Sequence, residues 1–343
     1  MKKLIKKLRI FRLKLSVWKQ KSPYIKIPFI KKIWANIRGF KADHYALYNL
    51  KENNYKEYLT EIDRWRTREV NGNYNILLDD KLAFYDLFKE HINIPKTFAW
   101  IKDKNIYDLN GSTLSDYDFF NMLKKQKKLI FKPNYGGGGK GIFTLECNHD
   151  GKIFLNGSSS STDEIISKLN KLDNYIVSEY IYQHKYSKDI FSEAINSIRV
   201  ITILNSDGTI DIPVAIHRFG TVNSIPVDNA SSGGIISNIE IDRGELSASK
   251  SYRTLDVFEN HPDTKVKIKG VIVHNWEFIK QKVVEVAKKF PYIPYMSWDI
   301  VPTEDDFYVL EINASTGLTL IQIFSPQRYT KLGEFFRKNG IVK

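Results

Sequence analysis

Short apolar runs bounded by polar or glycine-containing turns recur along most of this chain. Runs rich in β-branched and aromatic residues predict strands, namely Tyr175–Tyr182, Ile198–Leu204, Ile210–Ile216, Trp298–Val301, Phe307–Ile312 and one that starts at Leu129. Helical periodicity predicts helices at Ala42–Val70, Thr113–Lys127, Thr162–Leu172, His274–Phe290 and from about Asp79, with a surface loop at Asn156–Ser161. Helices that alternate with antiparallel strands predict an α+β fold of two subdomains.

The first 41 residues form a basic segment with a helical pattern of its own. They hold fourteen lysines and arginines and no acidic residue, so the remainder is nearly neutral although the whole chain carries a net charge of +13. Apolar residues recur at helical spacing, first at Leu4, Leu8, Phe11, Leu15 and Trp18, then, beyond two prolines, at Ile30, Ile33, Trp34 and Ile37. This pattern is typical of attachment to an anionic membrane, here through residues 1–38, and equally of a helix packed on the protein body. Nucleic acid is not an expected partner, since no binding motif accompanies the charge.

A glycine-rich segment between two predicted strands carries the clearest chemical signal. Four consecutive glycines lie between Lys132 and Lys140, namely Gly136, Gly137, Gly138 and Gly139. Consecutive glycines let backbone N–H groups converge on an anion, and flanking lysines add positive charge. A Walker loop would open a helix, whereas an apolar strand pattern follows here. We predict that this segment is a flap over nucleotide phosphates and that Lys132 contacts a phosphate group. Lys140 either contacts a phosphate group as well or is simply exposed to solvent.

Two acidic residues and an amide occur in a predicted hairpin near the end of the chain. In this hairpin Asp299 and Glu311 can project to the same face, and Asn313 points there as well. Carboxylate and amide oxygens suit a Mg²⁺ ion that also binds ATP phosphates. The alternative is a hairpin with exposed acids, which fits the turn Thr303–Asp306 better than carboxylates set among large apolar residues.

A second group of polar residues surrounds an apolar strand. Arg199 lies between Ile198 and Val200, where a guanidinium group needs an anionic partner. The γ-phosphate of ATP is the favoured partner, because positive charge there stabilises the transferring group, and a structural salt bridge is the alternative. Arg218, Asp228 and Asn229 flank a glycine-rich turn and either hold the acceptor or order the loop.

Together these segments resemble the ATP-grasp superfamily, and more closely its sugar-transfer-associated family. The closer likeness rests on three further segments: Asn196–Thr202, His217–Gly220 and Val227–Asn229, followed by Gly233 and Gly234. It runs from about Gly39 to about Ser325. The resemblance implies a fold in which two α+β subdomains grip a nucleotide, preceded here by the basic helical segment, with ATP and Mg²⁺ as cofactors.

The resemblance also implies roles for individual residues. Lys81 stands in a D-[KR]-x-x-F pattern, Asp80 to Phe84, whose basic residue contacts ATP phosphates. Glu179 resembles the hinge glutamate that accepts from the adenine amino group. Backbone groups of Tyr180 and Ile181 would then pair with the adenine edge, and His184 would reach the ribose.

The resemblance implies catalysis as an ADP-forming ligase. Lys132 and Arg199 would neutralise charge during phosphoryl transfer to a carboxylate, giving an acyl phosphate that an amine, or a thiol, attacks. The acceptor would be a uronic acid of a cell-surface polysaccharide or its precursor, and the amine an amino acid or amino sugar. The alternatives are a sugar kinase and a non-catalytic nucleotide-binding protein held at the membrane.

Length and composition agree with this interpretation. The 343 residues are predicted to divide at 1–41, 42–128, 129–185 (with the glycine flap) and 186–343 (with the Mg²⁺ site). The single cysteine, Cys147, excludes an intrachain disulfide. No apolar run approaches the roughly eighteen residues of a membrane span, and no signal peptide is recognisable. We therefore expect a cytoplasmic protein, peripheral at the inner face of the plasma membrane if the basic segment binds lipid.

Overall fold

The computed structural model describes residues 12–20 and 24–342. The chain divides into a large unit, Met1–Asn75, Tyr186–Ile300 and Ile312–Lys343, and a small unit, Ile76–Lys185 and Val301–Glu311. The sequence-derived boundary between residues 128 and 129 lies inside the small unit, because strands on both sides of it share one sheet. Residues 1–11, which carry the first part of the predicted amphipathic stripe, lie outside the described residues.

The small unit contains a seven-stranded antiparallel sheet in the order β2-β1-β7-β3-β4-β5-β6. Its strands are β1 Thr97–Lys102, β2 Asn105–Asp108, β3 Lys128–Pro133, β4 Phe143–Cys147, β5 Ile153–Leu155, β6 Ser158–Ser160 and β7 Tyr175–Glu179. Its helices are α5 Ile76–Asp79, α6 Lys81–Phe88, α7 Asp116–Gln126 and α8 Thr162–Leu169. Ser115 and Ser161 begin α7 and α8 with capping boxes, which satisfy backbone donors at both helix starts.

One face of this sheet forms the core of the small unit. Leu129 and Phe131 of β3 are fully buried there with Val177 of β7, and α7 and α8 contribute Phe119 and Ile165. Because side chains alternate along a strand, the other face carries the residues between them. On β3 and β7 these are Ile130, Lys132, Ile176 and Ser178. This second face presents the predicted phosphate-binding lysine.

A second seven-stranded sheet, in the order β12-β11-β10-β9-β8-β13-β14, lies mainly in the large unit, while the end of β13 and most of β14 belong to the small-unit segment Val301–Glu311. Its strands are β8 Ile198–Leu204, β9 Ile210–Phe219, β10 Ile235–Asn238, β11 Ser249–Ser251, β12 Val257–Phe258, β13 Tyr295–Pro302 and β14 Phe307–Asn313. Helical residues 12–19 (α1) are followed by α2 Phe29–Ile37, α3 His44–Leu47, α4 Glu61–Arg66, α9 Lys185–Ile190, α10 Trp276–Lys289, α11 Leu318–Gln322 and α12 Lys331–Lys338. The predicted strand Ile198–Leu204 is confirmed to the residue, and the predicted α+β class is confirmed.

Two local predictions differ from the structure. Residues 42–70 contain only the short helices α3 and α4 with 3₁₀ turns, because Asn49 adopts a positive φ of 47° and Thr60 starts a new helix with a capping box. Residues 156–161 are not a simple loop, since Ser158–Ser160 form β6. The turn into β6 is Asn156–Gly157 with φ values of 50° and 82°, the backbone that an Asn-Gly hairpin turn requires.

Residues 40–59 pack into the core of the large unit. Phe40, Leu47, Tyr48 and Leu59 form one buried cluster with Ile201 and Ile216 of the central strands. Among residues 12–20 and 24–342, no helix combines the length and apolar character of a membrane span.

Candidate active site

The glycine segment connects two neighbouring antiparallel strands, as the sequence predicts. It runs from the end of β3 to the start of β4, and φ is positive at Gly136, Gly138, Gly139 and Gly141. Nothing lies within 4 Å of where a Cβ would stand on Gly136 or Gly137. The tip of the loop is therefore exposed and open on its outer side, as a flap over a ligand requires.

The far end of the loop is tightly constrained at Gly141. A Cβ there would lie 2.7 Å from Tyr175 Oη and 3.1 Å from Pro133 Cγ, and φ is +77°. Only glycine meets both conditions without strain. Gly141 thus anchors the flap at the point where β4 begins.

A Gly141→Ala variant is expected to be destabilised by about 1–2 kcal/mol or more, because a left-handed backbone and a close contact act together. Gly137→Ala is the matched control, since Gly137 has neither a positive φ nor a neighbour within 4 Å. Thermal melting of both variants without nucleotide tests the difference. Equal melting temperatures would show that Gly141 does not constrain the flap.

The start of the loop is bound to the beginning of α6. Lys81 Nζ donates to Gly136 O at 3.2 Å and to Asn134 O at 3.4 Å, and it lies 4.0 Å from the Glu311 carboxylate. Lys81 is 9% exposed. The structure thus brings together three residues that the sequence analysis proposed separately: Lys81, Gly136 and Glu311.

Asp80 and Asn134 hold this arrangement, although neither of them was among the predicted site residues. Asp80 Oδ1 caps α6 by accepting from the Leu82 and Ala83 amides, and Asn134 Nδ2 donates to Asp80 Oδ2 at 3.1 Å. Burial raises the pKa of Asp80, but hydrogen bonds from Tyr135, Asn134 and the helix amides outweigh it and leave that pKa below its usual value. The signal that could have revealed Asp80 is an aspartate directly before a helical pattern.

Lys132 is buried on the second face of the small-unit sheet. It lies opposite Ile176 on β7, one residue before the end of β3, and is 8% exposed. Lys140 is exposed in the glycine loop. The phosphate contacts of both lysines remain predictions.

The hinge residues contact protein groups in this structure. Glu179 Oε2 accepts from the Lys96 amide at 3.1 Å, and Ile181 is buried. The ring of Tyr180 lies 4.3 Å below Lys128 Nζ. The adenine contacts of Glu179, Tyr180 and Ile181 remain predictions.

His184 lies beside Glu304, a carboxylate of the acidic turn that was predicted to be exposed to solvent. Its Nε2 is 3.3 Å from Glu304 Oε2, and Glu304 Oε1 accepts from the Lys185 amide at 2.8 Å. Glu304 therefore supplies an acidic neighbour for the predicted ribose-binding histidine. No local sequence signal distinguishes it from the other acidic residues of that turn.

A buried pair of opposite charges lies at the centre of the large-unit sheet. Arg199 on β8 and Asp299 on β13 are register partners, and the guanidinium group binds the carboxylate in a bidentate manner at 2.7 and 2.6 Å. Their side chains are 9% and 4% exposed. The salt bridge that the sequence analysis considered as the alternative partner for Arg199 is thus present.

A second arginine extends this pair into a network. Arg218 Nη2 donates to Asp299 Oδ2 at 3.0 Å, and Arg218 Nε donates to Ser197 Oγ at 3.0 Å. Asp228 Oδ2 accepts from the Ser197 amide at 2.8 Å and lies 3.4 Å from Arg218 Nε. Two arginines and two aspartates balance one another, which reduces the cost of burying four charges.

Asp228 and Asn229 differ in what they contact. Burial raises the pKa of the Asp228 carboxyl, and the nearby Arg218 guanidinium opposes that rise. Asn229 Oδ1 accepts from the Ser231 amide at 3.2 Å and so caps the 3₁₀ turn Ala230–Ser232. Asn229 thus caps this turn, while Arg218 and Asp228 join the Asp299 network, and the acceptor contacts of all three remain predictions.

The predicted metal ligands offer only oxygen donors. Asp299 lies on β13, and Glu311 and Asn313 lie on β14 with partly exposed side chains. Within residues 12–20 and 24–342, no three His, Cys, Asp or Glu side chains lie together as a metal-binding cluster. The predicted ligand set differs from such a cluster, because it consists of two carboxylates and one amide. Oxygen donors of this kind fit Mg²⁺ in their chemistry.

The flap between antiparallel strands and the second, antiparallel sheet define an ATP-grasp protein. A family model, sugar-transfer associated ATP-grasp, matches residues 64–331, and the chain belongs to this family. ATP and Mg²⁺ are the cofactors of that family, and the exposed glycine loop, the buried lysines and the oxygen donors fit them. No curated protein sequence matches the chain.

Several solved structures are similar to this chain at low identity. An ADP complex of N5-carboxyaminoimidazole ribonucleotide synthetase shares 10% identity, with a TM-score of 0.41, over 71% of this chain and 46% of its own. D-alanine–D-alanine ligase from Bacillus anthracis shares 17%, with a TM-score of 0.37, over 78% and 64%. D-alanyl-alanine synthetase A from Vibrio cholerae shares 10%, with a TM-score of 0.45, over 78% and 66%. This chain thus covers between about half and two thirds of these structures.

Proposed function

We propose that this protein is an ADP-forming ligase that joins a carboxylate to an amine. The observation that carries the proposal is the cationic setting of the glycine loop, where Lys81 and Lys132 are both more than nine-tenths buried. A buried ammonium group interacts strongly with negative charge, because the effective dielectric constant around it is low, and a nucleotide polyphosphate supplies several negative charges. Membership of an ATP-grasp family supports the same conclusion.

The proposed reaction has two balanced steps. An oxygen of the acceptor carboxylate bonds to the γ-phosphorus while the bond to the β–γ bridging oxygen breaks, giving an acyl phosphate and ADP. The amine nitrogen then bonds to the acyl carbon, phosphate leaves, and the amine gives up a proton. A thiol in place of the amine would give a thioester by the same route.

The residues of this chain would contribute mainly charge and position. Lys81 and Lys132 neutralise phosphate oxygens, and Arg199 stabilises the group in transfer. Asp299, Glu311 and Asn313 would hold Mg²⁺, which when bound offsets the charge of the β- and γ-phosphates. Arg218 binds the Asp299 carboxylate, and Asp228 lies 3.4 Å from Arg218, so we propose that Arg218, held by Asp228, positions this ligand.

The proposed acceptor class is supported by the family name and not by a pocket. A family associated with sugar transfer supports a uronic acid carboxylate on a cell-surface polysaccharide or its precursor. The amine would come from an amino acid or an amino sugar.

Binding of MgATP is the first expected result. Calorimetry should show ATP and ADP binding that depends on Mg²⁺, since the proposed lysines would bind the phosphates and the proposed carboxylates would bind the metal. A protein that binds neither nucleotide in the presence of Mg²⁺ would contradict the proposal.

Trapping with hydroxylamine tests the reaction. With ATP, Mg²⁺ and a uronic acid, hydroxylamine should convert the acyl phosphate into a hydroxamate of known mass, with one ADP for each. Product formation should require both the carboxylate and the amine. A phosphorylated neutral sugar would instead identify a kinase.

We further propose that residues 1–38 attach the enzyme to the cytoplasmic face of the plasma membrane. The basic charge of this segment supports attachment to anionic lipid, because each basic residue near such a surface adds on the order of 1 kcal/mol. Polysaccharide precursors carried on lipid would be concentrated at that surface.

A further inference from the structure

The outward face of α2 is unusually apolar for a surface helix. Phe29, Ile30 and Ile37 are 74%, 77% and 62% exposed, and Ile33 lies between them at helical spacing. Single exposed apolar residues are common, but several on one helix face mark an interaction surface. We call Phe29, Ile30 and Ile37 the α2 outer face.

The opposite side of α2 is fixed on the large unit. Trp34 makes edge contacts with Tyr45 and Tyr55 at 5.6 and 5.4 Å between ring centroids, and Arg38 stacks on Trp34 at 4.2 Å. Ala35 and Asn36 are buried. Helix α2 is therefore packed on the large unit through Trp34, and its outer face points away from the large unit.

The chain just before α2 is held in the same way. Tyr24 Oη donates to Ser231 O at 3.2 Å, and the Arg253 guanidinium lies 4.0 Å over the Tyr24 ring. These contacts restrict how far α2 can move from the large unit. A fixed helix presents its outer face at a defined orientation, which lowers the ordering cost of binding.

Charge indicates what covers this face. Residues 24–41 carry five basic and no acidic residues, and Lys26, three residues before α2, is exposed. Lys31 is also exposed, with its ammonium group 5.3 Å from the centroid of the Tyr45 ring. On α1, Leu15 and Trp18 are 46% and 44% exposed between the exposed Lys14 and Lys19. Apolar side chains flanked by lysines match the interface of an anionic bilayer, where rings and alkyl groups enter the acyl boundary and ammonium groups meet the headgroups.

We propose that the α2 outer face inserts into the surface of an anionic membrane and sets the orientation of the large unit on it. This inference rests on the proposed attachment of residues 1–38 and is independent of the ligase reaction. The two interpretations of the N-terminal segment, membrane attachment and packing on the protein body, then apply to two different sides of the same helix. The Trp34 side packs on the body, and the Phe29 side faces lipid.

Vesicle co-sedimentation tests this assignment. The full chain should bind vesicles of phosphatidylglycerol and phosphatidylcholine, bind pure phosphatidylcholine weakly, and lose binding as salt rises. The variant F29S/I30S/I37S should bind the mixed vesicles at least about tenfold more weakly, since three apolar insertions are lost. Its melting temperature should not fall, because the replaced side chains are exposed.

The variant Y117S/V257S is the matched control, since Tyr117 and Val257 are 76% and 60% exposed and lie away from the N-terminal segment in sequence. It should bind mixed vesicles as the full chain does. If the full chain binds no mixed vesicles, the proposed attachment and this inference both fail. If the full chain binds and F29S/I30S/I37S binds equally, only the α2 assignment fails. A change in oligomeric state without a change in vesicle binding would identify a self-association surface and overturn the inference.

Discussion

A Glu311→Gln variant is expected to lose turnover while keeping its fold. Glutamine preserves the size and hydrogen-bonding shape of the side chain but removes the charge of a proposed Mg²⁺ ligand. The loss of one electrostatic contact to a transferring phosphoryl group lowers kcat by about 10²-fold or more. Stability should change little, because the Glu311 side chain is 25% exposed and its ion pair with Lys81 is long, at 4.0 Å.

Glu146→Gln is the matched control for this variant. Glu146 is a carboxylate on β4 of the small unit, 45% exposed and 2.9 Å from Lys128. It lies outside the proposed metal site, so its amide should leave kcat unchanged. Measuring kcat at rising Mg²⁺ separates lost affinity from lost catalysis. Near-normal turnover of Glu311→Gln at ordinary Mg²⁺ would show that Glu311 is not a ligand.

The parts of the fold that local chemistry determines could be predicted from the sequence. Strand β8 is apolar apart from Arg199 and Thr202 and is buried on both faces, so its bounds follow from composition alone. The glycine loop was equally predictable, because four glycines between apolar runs have few other structural uses. The Asn156–Gly157 turn carried a usable local signal as well, and the strand after it is a missed prediction rather than an unpredictable one.

The partners of the charged residues could not be predicted in the same way. Arg199 and Asp299 are 100 residues apart and meet only because β8 and β13 pair in one particular register. Ser197 was given no role from the sequence, yet it links Asp228 to Arg218. The helix start at Asp80 and the loop residue Asn134 likewise meet through tertiary packing. Sequence patterns predicted the candidate side chains, and long-range pairing decides what each of them contacts.

An Arg199→Lys variant is expected to lose kcat by about 10²-fold or more at a temperature where it stays folded. Lysine keeps the positive charge but lacks the planar fork that can bind two oxygens at once. In this structure that fork binds Asp299, which is also a proposed Mg²⁺ ligand. We propose that nucleotide binding gives the guanidinium group phosphate oxygens and frees the carboxylate for the metal.

Asp299→Asn provides the contrast that separates packing from chemistry. This variant leaves Arg199 and Arg218 buried, with Asp228 as the remaining carboxylate of the network. Removing one partner of a buried ion pair lowers the free energy of unfolding by about 3–5 kcal/mol. Arg199→Lys keeps the charge balance, so its free energy of unfolding should fall clearly less than that of Asp299→Asn. Its kcat should fall at least as far as that of Asp299→Asn. Denaturant unfolding and kcat should be measured for both single variants and for the double variant. The double-mutant cycle then gives the coupling between Arg199 and Asp299 separately for stability and for turnover. If Arg199→Lys loses stability in full and its kcat, corrected for the folded fraction, stays near normal, then Arg199 only supports packing and the phosphate must be held by other cations.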